Sequence, residues 1–152
     1  MVIAALAAAA PAPAQDQSQP EAPRALTLAV RVHALIQGNS DQVVWQDDRT
    51  QFTLPSKPVG IKIQGEGSNI VVLVQVTPFD REDSKITLMI QGQVWMRRPE
   101  GGLSYRTRLD TVTVGYGETV LFYPLGVESG GKAPLLVEIV VTREGGTEKP
   151  KK

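Results

Sequence analysis

His33 is the only histidine in the chain, so it is the first residue to test for chemistry. One imidazole leaves one candidate base for a Ser-His-Asp arrangement and is too few for most histidine-based metal sites. It falls on the polar side of an alternating stretch, and the sequence sets no serine and carboxylate beside it, so no catalytic residue is assigned. Gly65-Glu66-Gly67 and Gly115-Tyr116-Gly117 have the glycine spacing of phosphate loops. Neither leads into a helix or carries a Lys-Ser/Thr pair, and both are read as turns. Asp80, Glu82 and Asp83, joined by Asp41, Asp47 and Asp48 from other loops, could offer oxygen ligands to calcium, but the spacing of an EF-hand loop is missing. No acid pair stands out for glycoside hydrolysis, and cysteine is absent, which removes thiolate nucleophiles, disulfides and zinc ribbons. The chain is therefore read as non-enzymatic, without a metal or cofactor.

Trp95 is more informative. From Lys85 to Met96 the residues Ile86, Leu88, Ile90, Val94 and Met96 point one way. The other face carries Gln91, Gln93, Trp95 and Arg97, so a large apolar ring stands among polar side chains. Such a ring suits either subunit packing or the face of a sugar. Arg97, Arg98, Arg106 and Arg108 crowd the two arms of a hairpin around Pro99–Gly102, and the expectation is a small positive patch beside Trp95 for an acidic partner or an anionic glycan. The candidate interaction residues are thus Trp95, Gln91, Gln93, Arg97, Arg106 and Arg108.

The elements that must position them are strands. Leu26, Leu28, Val30, Val32 and Ile36 share one face of the first, opposite Thr27, Arg31 and His33. Val43–Trp45 and Thr50–Leu54 are read as two short strands around an Asp47-Asp48-Arg49 turn, with Pro55–Pro58 before Val59–Ile63. Asn69–Thr77 is apolar on both faces in its middle, as in a central strand covered on two sides. An acidic turn at Asp80–Ser84 separates it from Lys85–Met96. Leu103, Tyr105, Thr107 and Leu109 hold one phase and Val112 and Val114 the other, which predicts a bulge or a crossing between sheets near Asp110. Thr119–Tyr123 and Leu135–Arg143 complete the set. About nine short strands predict an all-β, antiparallel β-sandwich over residues 25–143, with a closed barrel as the alternative. A transmembrane barrel conflicts with the Lys, Arg and Glu on the polar faces.

Sixteen Lys+Arg balance sixteen Asp+Glu, so the chain has no net field with which to hold nucleic acid or an acidic membrane surface. Residues 1–14 read as a signal peptide: an apolar run too short to span a bilayer precedes Ala12-Pro13-Ala14, with small residues where signal peptidase needs them. Residues 15–24 read as a disordered linker and 144–152 as a disordered tail, both too polar to bury surface. The mature product is expected to be exported, to the periplasm or outside the cell, without stable membrane insertion.

Val74-Gln-Val-Thr-Pro-Phe-Asp-Arg-Glu-Asp-Ser-Lys-Ile-Thr-Leu-Met-Ile90, followed by Thr111–Val114, Gly117–Val120 and Leu125-Gly126, resembles the C-terminal β-domain of bacterial secretins in its order of strands and turns. The resemblance covers about a third of the chain. It implies an envelope protein whose β-domain pairs edge to edge with copies of itself or with a larger assembly, and it carries no catalytic residue. Pro124-Leu125-Gly126 departs from the family's Gly-Gly-Leu, and no pore is implied. The functional expectation is a structural or protein-interaction module of the bacterial cell envelope, within a secretion or surface assembly. The alternative is a carbohydrate-binding module with Trp95 as its stacking platform.

Overall fold

The computed structural model of the protein describes residues 26–37, 43–64, 69–128 and 133–144. The expected signal peptide (1–14), linker (15–24) and the tail past Glu144 lie outside the described residues, as do Asp41 and Gly65-Glu66-Gly67. The described residues form eight antiparallel strands in two sheets that do not close into a barrel: β1 (Thr27–Gln37), β2 (Val43–Thr53), β3 (Val59–Gln64), β4 (Ile70–Asp80), β5 (Lys85–Arg97), β6 (Leu103–Gly115), β7 (Thr119–Phe122) and β8 (Leu135–Glu144). The first sheet has the order β2-β1-β8-β7 and the second β3-β4-β5-β6. The second is a meander of consecutive hairpins. The first is completed only when β8 returns beside β1, where His33 faces Glu138 across 105 residues of chain.

Alternation builds the core. Leu28, Val30, Val32 and Ala34 of β1, with Leu135, Val137, Ile139 and Val141 of β8, point inward from the first sheet and are buried. Ile61 and Ile63, Val72, Val74 and Val76, and Ile86, Leu88 and Ile90 meet them from the second. This is the expected phase, and each such aliphatic side chain contributes about 1.5–3 kcal/mol of transfer free energy. Gly92 shares this inward face because the Phe122 ring of β7 occupies the space a side chain would need: a Cβ there would lie 2.7 Å from the ring. The two sheets close over that slot.

The antiparallel β-sandwich is the expected fold, with eight strands among the described residues for the nine or so expected, several of them long, with 13 residues each in β5 and β6. Three local expectations are corrected. Asp47-Asp48-Arg49 is no turn: β2 runs through it, with Ala34 opposite Asp47 and His33 opposite Asp48. β2 is an edge strand, so its inward side at Asp47 and Arg49 can carry charge, and the two pair with each other at 3.0 Å. The bulge near Asp110 does not exist, since β5 and β6 stay in register from Lys85↔Gly115 to Arg97↔Leu103. The apolar phase switches there because the surroundings change along a regular strand. Val112 and Val114 face the core, whereas Leu103, Tyr105 and Leu109 stand on the outer face. Finally, β4 is interior to its sheet but covered on one side only; Val71, Leu73 and Gln75 are half-buried among neighbours of the same sheet.

Candidate interaction face

The turn Arg98–Gly102 fixes what stands beside Trp95. Gly101 and Gly102 have φ of 95° and 90°, a region open to glycine, and the tight reversal pairs Arg97 with Leu103. Counting back along both arms, Trp95 must face Tyr105. Their ring centroids are 5.3 Å apart with the planes inclined at 43°, an ordinary favourable aromatic geometry. The row continues across the whole sheet through Val71 on β4 and Gln64 on β3. Below it lie Lys62, Leu73, Gln93 and Thr107, and below those Gly60, Gln75, Gln91 and Leu109.

Trp95, Gln91, Gln93 and Arg97 therefore share the outer face of the second sheet, as alternation predicts. Trp95, Gln91 and Gln93 are half-buried and Arg97 is exposed. Arg106 and Arg108 do not belong with them. The same count from the turn sets Arg106 opposite Val94 and Arg108 opposite Gly92, on the inward side of β6, so the expected positive patch beside Trp95 is not formed. Both remain exposed because β6 is the last strand of its sheet. Arg108 donates to Asp110 at 3.0 Å and to the Tyr123 carbonyl at 3.4 Å.

The residues that single-strand reading missed come from the neighbouring strands: Tyr105, Val71, Gln64 and Gln75. Around them the face exposes Leu103 (66 %), Leu109 (61 %) and Tyr105 (52 %), with Met89 further along. A shallow recess of about 250 Å³ opens between Trp95, Arg97, Leu103, Val71, Gln64 and Asn69. It has room for one ring or one side chain. At the opposite end of the face, Arg81 donates to Thr87, which shares a hydrogen bond with Thr113, and polar groups cover the strands there.

The other candidates are occupied by one another. His33 Nδ1 lies 3.2 Å from Glu138 Oε2 on the outer face of the first sheet, and its other cross-strand neighbour is Asp48. Asp48 is in turn gripped by the Arg31 guanidinium, and this hydrogen bond holds its carboxyl below the usual aspartate range. Asp80 accepts from the Tyr116 hydroxyl and, at 3.1 Å, from Arg143, whose guanidinium carbon sits 4.2 Å from the centre of the Tyr116 ring. The Tyr116 bond first, then Arg143, lowers the Asp80 pKa, while burial first and then Asp80 raise that of Tyr116. This clasp ties the ends of β4 and β8 to the β6–β7 turn, which is where Gly115-Tyr116-Gly117 lies. Among the described residues no three acidic or histidine side chains converge to hold a metal ion.

Comparison with known proteins finds no match: no protein family, no curated protein and no solved structure.

Proposed function

We propose that the chain is an exported, non-enzymatic interaction module of the bacterial cell envelope that docks a protein partner on the outer face of its second sheet. One observation carries this reading: Trp95 and Tyr105 pack together beside exposed Leu103 and half-buried Val71 on one face. Monomeric proteins rarely leave such apolar groups contiguous without use, and Trp and Tyr are the residues that dominate interface energies. Export rests on the apolar leader and its Ala12-Pro13-Ala14 site. The envelope setting rests on the resemblance to secretins. The balanced charge of the chain gives nucleic acid no net attracting field.

A second reading has its own observation. Gln64, Gln75, Gln91 and Gln93 lie on the same face as the two rings, and amides beside flat aromatic surfaces are the chemistry that holds sugar hydroxyls and sugar faces. The recess beside Trp95 has the size of a single ring, which suits either occupant.

The test compares wild type, Trp95→Ala and Tyr105→Ala with His33→Ala as a control on the other sheet. Binding is measured against envelope fractions of the host and against a glycan panel. Loss of a protein contact in the first two variants only, at unchanged thermal stability, is the expected result. Loss of a glycan contact with the same pattern establishes the second reading. Equal behaviour of all four proteins overturns both.

A further inference from the structure

The open edge of β6 is the longest of the four sheet edges among the described residues. β7 has four residues and stops before Pro124, β3 has six and is entered through Pro58. β2 is longer, but it turns charge inward at Asp47 and Arg49, and the Asp47 carboxylate takes the Asp48 N–H at 2.9 Å. Short length, proline and inward charge are the ways in which sheet edges are kept from pairing. β6 has 13 residues, no proline and no break in register, and the charges on its inward side, Arg106, Arg108 and Asp110, are of both signs, so a second β6 can answer them.

Its free hydrogen-bonding groups can be identified. The Arg98 N–H donates to the Gly102 carbonyl at 3.2 Å, so the pair flanking the turn is a hydrogen-bonded one. Alternation along an antiparallel ladder then directs the even-numbered residues of β6 toward β5 and the odd-numbered ones toward the open edge. Gly115 agrees with this: its N–H is bound by the Glu118 carboxylate at 2.9 Å, and its carbonyl accepts from the Glu118 N–H at 3.3 Å. The turn thus closes the edge at Gly115. Tyr105, Thr107, Leu109, Thr111 and Thr113 keep backbone donors and acceptors that no strand among the described residues takes.

We propose that the occupant of this edge is β6 of a second copy of the chain, paired antiparallel about a two-fold axis at Leu109. The charges select that register. Centred on Thr107, Arg106 of each copy would face Arg108 of the other; centred on Arg108 or Asp110, a charge would face itself. Centred on Leu109, Arg108 of each copy faces Asp110 of the other in the closer, non-hydrogen-bonded type of pair. Leu109 then meets Leu109, Thr107 meets Thr111 and Tyr105 meets Thr113, all through the residues with free backbone groups. The overhang that leaves Arg106 and Arg108 exposed gives those side chains room. Two second sheets become one, and their outer faces become one surface carrying two Trp95–Tyr105 pairs. This inference stands independently of which ligand the face binds.

Sedimentation over a range of concentrations tests it, with circular dichroism as the check on folding. Wild type is expected to form a dimer. Thr107→Pro, which removes an edge-directed N–H, and Arg108→Asp and Asp110→Arg, each of which sets like charges opposite one another, are expected to weaken it by about tenfold or more. Mixing the Arg108→Asp chain with the Asp110→Arg chain restores opposite charges at both positions, and a one-to-one heterodimer should appear. Trp95→Ala should dimerise as wild type does, which separates this edge from the docking face. A wild type that stays monomeric at every concentration, a dimer indifferent to Thr107→Pro, or folded charge variants that fail to pair on mixing would each overturn the proposal.

Discussion

The two outer faces of the sandwich are built from strands of the same kind, yet they end in different states. On the first sheet, Arg31 holds Asp48 and His33 meets Glu138, so the charged groups at its centre answer one another within the face. Its exposed apolar residues among those described, Val43 and Phe52 on β2 and Leu121 on β7, lie on strands at opposite edges of the sheet. On the second sheet, Trp95, Tyr105, Val71 and Leu103 adjoin one another, and amides rather than ion pairs lie beside them. What separates a surface from a site here is whether its side chains already satisfy each other. Counting hydrophobic residues would not distinguish the two faces.

The change that should remove the distinction altogether is Phe122→Ala. The ring fills the slot over Gly92 between the sheets, and its loss should lower unfolding free energy by about 3–5 kcal/mol in denaturant titration. Both faces then fail together. Trp95→Ala should sharpen the contrast: thermal unfolding close to that of wild type, with ligand binding weaker by more than ~1 kcal/mol by calorimetry. A stability loss as large as that of Phe122→Ala would instead make Trp95 part of the core. A smaller effect belongs to the clasp. Because Asp80 is held below its ordinary value of 3.8, its contribution is present above that pH and is lost as pH falls through the lower folded value. Asp80→Asn should therefore flatten the acid limb of a plot of melting temperature against pH, and the side chain is exposed enough for the effect to be modest. Asp48→Asn should do least: the same melting temperature and the same binding as wild type, since the pair it breaks is solvated.

How much of this was legible in the sequence depends on distance along the chain. Period-two alternation is local, and it correctly set Leu28, Val30, Val32, Ile86, Leu88 and Ile90 inside, with Arg31, Gln91 and Gln93 on the opposite faces. Trp95 came onto the outer face by the same argument. Cross-strand neighbours need register, which a tight turn supplies; counting from Arg98–Gly102 gives Tyr105 beside Trp95 and sends Arg106 and Arg108 to the other side. Asp47-Asp48-Arg49 misled because three charges in a row resemble a turn, whereas an uncovered edge strand tolerates them on both faces. The clasp of Asp80, Tyr116 and Arg143 joins groups up to 63 residues apart and leaves no local trace, and neither does the return of β8 to the side of β1.

That return has a mechanical meaning. Thr27 is paired with Glu144, so the first and last strands leave the sandwich side by side, at the end where Arg143 reaches Asp80 and Tyr116. Trp95 and Tyr105 sit at the far end, near the β5–β6 turn. Tension applied between the two ends would peel β1 from β8 one rung at a time, rather than shear all their rungs at once, and the Arg143 contacts stand beside the first rung to open. A load carried through one end alone would leave that seam at rest and hold the aromatic pair out at the greatest distance from the tether.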